Sequence, residues 1–230
     1  MHTKYKNIDL EPAKKLLAKH HINEDSYKIQ IGDIKLTMLP DVFCPAYTNT
    51  SLFLADNIKI LPGEKILDMF SGSGFLGIKA AKMANKVTCM DKSPQAVKCI
   101  KNNIKLNKVE GKVIAFLGDL FAPLKDEKYD VIIANPPLLP GQPESLLETA
   151  ILDPGLKTTE RFINSVSKYL TKTGRIYLLF SDVSKHTDLG GLDFVRRLSR
   201  SNDLKLSIIA KKSIGYETYY VLLLEKEVKS

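Results

Sequence analysis

At 230 residues, with 44% hydrophobic and 26% charged side chains, the chain has the make-up of one globular domain with a possible short appendage. No apolar run approaches the roughly 20 residues that cross a bilayer, and Met1-His2-Thr3-Lys4-Tyr5-Lys6 leads into no signal-peptide core, so a soluble cytoplasmic protein is expected. The net charge of +8 suits an acidic partner such as RNA or the ribosome, and equally describes a lysine-rich solvated surface.

The three cysteines, Cys44, Cys89 and Cys99, are odd in number and form no CxxC pair. They are expected as buried, reduced thiols, which fits a reducing compartment. No spacing of His, Cys, Asp and Glu suggests a metal site.

In chain order, Ile8 to His20 has helical spacing, with Leu10, Ala13, Leu16 and Leu17 on one side and Pro12 in the first turn. Tyr27–Ile31 and Ile34–Met38 alternate about Gly32-Asp33 and predict a hairpin. A helix and a hairpin bury too little surface to fold alone, so residues 1–45 are an N-terminal extension to a domain spanning 46–230.

From about Ile60 strands and helices alternate. The predicted strands are Lys65–Met69, Val87–Asp91, Val113–Gly118, Tyr129–Ala134 and Gly174–Phe180. The helices are Gly74–Ala84, Ser93–Leu106, capped by Ser93 with Pro94 at its first position, and Leu156–Leu170. Lys98, Lys101, Lys105 and Lys108 share one face of the second. After a further helix, Leu189–Arg200, strands Leu204–Lys212 and Thr218–Leu224 flank a turn at Ser213-Ile214-Gly215-Tyr216. The pattern predicts an α/β fold, a mostly parallel sheet with an antiparallel terminal strand at its edge.

Two strand ends carry the chemistry. Ile66-Leu67-Asp68-Met69 runs into a glycine loop in which Gly72, Gly74 and Gly77 fit G-x-G-x-x-G at the start of a helix. Glycines there permit a tight turn, close approach to a ligand and close helix packing. Asp91, about twenty residues on, ends the next strand where a carboxylate grips ribose hydroxyls. Such a fingerprint also suits a nicotinamide cofactor. Asp68 argues otherwise, because a buried anion beside a pyrophosphate gains nothing, whereas it suits an ammonium. The helix starting at Gly74 would favour the accompanying carboxylate. Tyr169 and Lys172 also have the wrong separation for hydride chemistry. Asp119 is placed to accept from an adenine amino group, with Leu120 or Phe121 as a wall. The second strand end is Asn135-Pro136-Pro137-Leu138, a rigid turn after the apolar run Tyr129–Ala134.

Ile66-Leu67-Asp68-Met69-Phe70-Ser71-Gly72-Ser73-Gly74, Asp91, Gly118-Asp119-Leu120-Phe121 and Asn135-Pro136-Pro137-Leu138 together resemble class I S-adenosylmethionine-dependent methyltransferases. More narrowly the chain is similar to the small methyltransferase-domain group, which includes release-factor glutamine methyltransferases and RNA adenine-N6 or guanine-N2 methyltransferases. Val42–Thr50 and Asp153-Pro154-Gly155-Leu156 add to the resemblance, which covers roughly residues 40–185. It implies a Rossmann-like, seven-stranded sheet and S-adenosyl-L-methionine as cofactor. The cofactor set it implies is Asp68, Phe70, Gly72, Gly74, Asp91, Lys92, Asp119, Leu120 and Asn135. The acceptor set is Asn135, Pro136, Pro137 and Leu138.

That turn has a chemical rationale. An amide or aromatic-amine nitrogen has a delocalised lone pair and is a poor nucleophile. The Asn135 side-chain oxygen and a backbone carbonyl fixed by proline would bind both N–H bonds and orient the nitrogen, so positioning replaces a strong base. Two residues depart from the family pattern. Phe70 stands where its loop has a glycine, and Leu138 where an aromatic residue stacks on base or amide.

His20 and His21 are read as cations at a helix end, and His186 as a solvated loop residue. Arg196, Arg197, Arg200, Lys205, Lys211 and Lys212 form a basic patch or dispersed surface charge. The expected activity is N-methylation of an amide or exocyclic amine in a macromolecule. The expected acceptor is rRNA, tRNA or a translation-related protein, without DNA or membrane. The competing readings are a catalytically inactive cofactor-binding or RNA-binding subunit, and an NAD(P)-dependent oxidoreductase. Oligomeric state is open.

Overall fold

Period-two alternation of apolar residues splits each central strand between two cores. In Tyr129–Ala134, Val131 and Ile133 join one cluster while Ile132 and Ala134 join the other, and all four are fully buried. Only a sheet covered on both faces accepts such a strand, and helices supply the cover. The computed structural model describes residues 11–21, 25–185, 187–214 and 217–227. The first helix's predicted start at Ile8, His186 and the turn residues Gly215 and Tyr216 lie outside them.

The elements are α1 (Glu11–His21), β1 (Tyr27–Ile31), β2 (Ile34–Met38), α2 (Thr50–Asp56), β3 (Lys65–Met69), α3 (Phe75–Ala80), β4 (Lys86–Asp91), α4 (Pro94–Leu106) and β5 (Val113–Leu117). After them come β6 (Tyr129–Ala134), α5 (Lys157–Val166), β7 (Leu170–Ser181), α6 (Leu192–Ser201), β8 (Leu204–Ile214) and β9 (Glu217–Lys226). A seven-stranded sheet has the order β5-β4-β3-β6-β7-β9-β8. Its first five strands are parallel, and β9 is antiparallel to both neighbours. The chain's last strand is therefore antiparallel, as expected, but it is not the edge. It inserts between β7 and β8, and the edge strand β8 runs in the direction of β7. The fully buried Leu222 and Leu224 explain the inside position.

Three local differences have local causes. α2 was not anticipated, because seven residues with no side-chain cap make a weak pattern. α3 is six residues and shorter than Gly74–Ala84. α5 begins at Lys157, where the left-handed Gly155 and Leu156 give way to helical backbone.

The N-terminal hairpin shares the main core. Ile34, Leu36 and Met38 of β2 are buried in one cluster with α3 and α4. Asn103 of α4, fully buried, accepts from the Thr37 N–H at 2.7 Å and donates to the Ser73 carbonyl at 2.9 Å. One amide thus ties the hairpin to the glycine loop. Ser93 caps α4 by accepting from the Ala96 N–H at 3.2 Å. Lys98, Lys101, Lys105 and Lys108 face solvent, and all three cysteines are buried and unpaired. No described helix is long and apolar enough to cross a membrane.

Candidate active site

β3 and β6 are neighbours, and Met69 pairs with Ala134. The next residues, Phe70 and Asn135, leave the sheet side by side at the same end. This is the point where the strand order reverses, with β4 and β5 to one side and β7 onward to the other, and ligands of open α/β sheets bind there. A cavity of about 300 Å³ opens at it. Its walls include Phe70, Gly72, Asp91, Lys92, Asp119, Leu120, Asn135, Pro136, Pro137 and Leu138.

Two predicted residues sit just off the cavity lining. Asp68 is fully buried beneath the loop; its Oδ2 accepts from the Ser71 hydroxyl at 2.6 Å and the Gly77 N–H at 2.9 Å. One carboxylate oxygen thus braces the glycine loop. Burial pushes its carboxyl up to about 7, against the pull of those two donors. Its Oδ1 has no partner among the described residues. Gly74 caps α3 at φ +83°. Of the two residues offered as that wall, Leu120 lines the cavity, while Phe121 is buried and stacks on Tyr169 with ring centroids 4.3 Å apart.

The loop's other partner is Asp91. Its Oδ2 accepts from the Gly72 N–H and its Oδ1 from the Ser93 N–H, both at 2.9 Å. With its four lone pairs the carboxylate can still take a further donor. Burial raises its pKa despite these bonds. Asp119 is held by an exposed, forked pair with Arg161 of α5, whose Nη2 lies 2.7 Å from Oδ2. Phe70 adopts φ +62°, the conformation a glycine would hold without strain. Its ring packs against Phe162 at 5.7 Å.

At the other end, the Asn135 amide donates to the Ser51 hydroxyl at 3.1 Å. Ser51 lies in the first turn of α2, and sequence reasoning passed over both. Leu138 and Leu139 donate their N–H groups to the Ile151 carbonyl, and Asp153 N–H returns to the Leu139 carbonyl at 2.7 Å. The segment after the turn is therefore tied back on itself. Asp153 then accepts from the Thr158 and Thr159 N–H groups and so starts α5. An Asp a few residues ahead of two threonines was the available signal for that contact.

α1 covers this segment, with Ala13, Leu16 and Leu17 against Phe43, Leu139, Ile151 and Leu152. His20 pins it. Cys44 N–H donates to Nε2 at 2.8 Å, so Nε2 is unprotonated and Nδ1 donates to the Leu16 carbonyl at 2.9 Å. His20 is a buried neutral ring packed on Phe43 and Tyr47, not a cation at a helix end.

The cavity fits a sulfonium nucleoside cofactor on its own features. Asp91 has spare acceptor capacity for hydroxyls, Leu120 and Phe70 supply apolar walls, and Asp68 leaves one buried oxygen under the loop without a partner among the described residues. Among the described residues no cluster could hold a metal ion.

Comparisons with known proteins agree with this geometry. The methyltransferase small domain matches residues 33–194. A candidate protein N5-glutamine methyltransferase of Methanocaldococcus jannaschii is 30% identical over 201 residues, covering 84% of this chain and 96% of that protein. A release factor glutamine methyltransferase of Thermodesulfovibrio yellowstonii is 29% identical over 172 residues, 62% of this chain and 61% of that one. Among solved structures, the Thermus thermophilus 16S rRNA N2 G1207 methyltransferase, in complex with AdoMet and guanosine, superposes with a TM-score of 0.65. It shares 21% identity and covers 88% of this chain and 50% of that one. One chain of an E. cuniculi two-protein complex, described as responsible for methylation of a translation termination factor, has a TM-score of 0.61 at 20% identity, covering 81% of this chain and 99% of that one. These matches leave the nicotinamide and non-catalytic readings without support. The chain belongs to the methyltransferase small-domain family and is an S-adenosylmethionine-dependent methyltransferase.

Proposed function

We propose that the protein methylates the side-chain amide nitrogen of a glutamine in a protein of the translation machinery. One observation carries the reading. The Asn135 amide nitrogen is engaged by Ser51, which directs the carboxamide oxygen to act as the acceptor in a cavity shared with the glycine loop. A primary amide has two N–H bonds, and Asn135 Oδ1 with the Pro136 carbonyl offers two acceptors. Holding both orients the nitrogen without a base. Leu138 gives contact area without a stacking face, which suits an aliphatic glutamine chain better than a base. The relatives named for glutamine methylation point the same way.

Within the cavity, Asp91 would bind ribose hydroxyls, Gly72 would let the backbone approach, and Leu120 with Asp119 would border the adenine. Phe70 and Lys92 complete that wall. Asp68 keeps the loop in shape. The bound cofactor supplies an electrophilic methyl group on sulfur. The chain's residues bring the acceptor nitrogen to it and exclude water from the turn.

Incubation with methyl-labelled cofactor and separated ribosomal-protein, release-factor and RNA fractions tests the reading. Label is expected in protein, as a 14 Da gain (roughly one CH₂) on a glutamine, and should vanish with Asn135→Ala. Label that is removed by nuclease and absent from protein overturns it.

A further inference from the structure

Glu217 opens β9 and lines the cavity, yet its side chain is only 8% exposed. It lies beyond residue 194, where the family match ends. The sheet order sets its place: β3 and β4 carry the glycine loop and Asp91, β6 carries Asn135, and β7 and β9 follow. Glu217 is thus two strands past Asn135 and four residues further along β9 than the level of Val221, roughly 16 Å away at spacings of about 4.8 Å between strands and about 3.3 Å along them. That is the acceptor's end, away from the cofactor.

Its carboxylate is held but not saturated. Oε1 accepts from the Ser181 hydroxyl, and Oε2 accepts from the Tyr219 hydroxyl at 2.5 Å. Each oxygen retains a lone pair. Burial, with Asp182 nearby, holds the carboxyl above its ordinary range, in spite of the two hydroxyl donors. Desolvating a carboxylate is unfavourable unless more donors arrive.

Charge along the cavity is polarised. Among the described lining residues the cations are Lys92, at the end of β4, and Arg161, paired with Asp119. Those two cations face Asp91 and Asp119 on the cofactor side, while Glu217, on β9, has no described lining cation on its own strand or on β7. A phosphodiester chain entering there meets like charge in a partly desolvated site, which is costly. A polypeptide brings backbone N–H groups.

We propose that Glu217 is a specificity-determining residue, receiving backbone N–H groups of the polypeptide that flanks the methylated glutamine and turning away nucleic acid. This rests on the glutamine reading above. The test is steady-state methylation of a synthetic peptide spanning the glutamine that the wild-type enzyme labels. Glu217→Gln should raise KM for the peptide by about tenfold, the scale of one hydrogen bond to a charged group, with kcat within about twofold. Glu217→Asp should recover part of the loss, and calorimetry should find cofactor affinity unchanged. An unchanged peptide KM in Glu217→Gln overturns the assignment. So does a KM loss matched by parallel falls in melting temperature and cofactor affinity, which would mark a structural role. Were the wild-type enzyme to label RNA alone, the glutamine reading itself would fail and take this proposal with it. Protein labelling with an indifferent Glu217→Gln removes this proposal only.

Discussion

The amide of Asn135 and the hydroxyl of Ser51 meet at 3.1 Å across 84 residues of chain, joining the end of β6 to the first turn of α2. A carboxamide has two chemically opposite ends. Engaging its nitrogen leaves the carboxamide oxygen as the free end, so under the proposed function Ser51 sets the polarity of the acceptor site without touching the reaction.

That relationship separates two variants. Asn135→Ala should lower kcat by about 10²-fold or more, the scale of losing a preorganised polar contact to the reacting group. Ser51→Ala keeps the acceptor oxygen but lets the amide rotate, and should cost about tenfold in kcat. Cofactor affinity should be unchanged in Ser51→Ala, as read by calorimetry. Equal kcat losses in the two variants would contradict the orienting role.

Asp68 predicts a pH dependence. Its folded-state pKa is raised from 3.8 to about 7, so the native chain holds a proton that the unfolded chain releases above about pH 4. Native stability from this group is full below that point and falls as pH rises towards 7, by up to about 4 kcal/mol, then levels. Asp91 and Glu217 shift in the same direction. Asp68→Asn keeps an acceptor for Ser71 and Gly77 but cannot ionise. Urea unfolding from pH 4 to 8 should show a flatter profile for the variant, and identical slopes would refute the burial argument.

Gly77 is the third glycine of the fingerprint, and it sits where α3 packs on β3 and β4. A Cβ there would lie 2.3 Å from Cys89 Sγ and 3.1 Å from Asp68 Oδ2. Gly77→Ala should therefore destabilise by about 1–3 kcal/mol through overpacking. Adding Cys89→Ala makes room and should return more than half of the loss in thermal denaturation. A double variant as unstable as Gly77→Ala alone would place the clash elsewhere.

Phe70 combines backbone strain with ring packing. Phe70→Ala removes the contact with Phe162 and keeps a Cβ at φ +62°. Phe70→Gly loses the same contact but relieves the strain. The glycine variant should be the more stable of the two by about 1 kcal/mol, the reverse of the usual order. Chemical denaturation of both proteins decides the sign.

Much of the site could be read along the chain because its parts are local. The glycine loop, Asp91 and the Asn135 turn each adjoin a strand whose apolar run declares itself, and a parallel α/β order places such strand ends together. Asp68 was legible as a buried anion but not as a brace. Its partners Ser71 and Gly77 are close in sequence, yet only folding shows that they consume one oxygen. Phe121 and Leu120 are adjacent, and no periodicity tells which turns inward.

Ser51, His20, Arg161 and Glu217 were illegible for a different reason. Each acts through a partner distant in sequence or placed by sheet order: Asn135, Cys44, Asp119, and the strand beside Ser181. Nor does a terminal hairpin reveal that β9 lies inside β8, since both strands alternate alike and burial on the sheet decides.

Sequence by itself determined the glycine loop, the strand framework and the Asn135-Pro136-Pro137 turn, because hydrophobic periodicity and glycine backbone freedom act over a few residues. Tertiary structure alone decided the direction of the Asn135 amide, the neutral state of His20 and the place of Glu217 in the cavity wall. Those depend on hydrogen bonds and desolvation between groups that meet only when the sheet has formed.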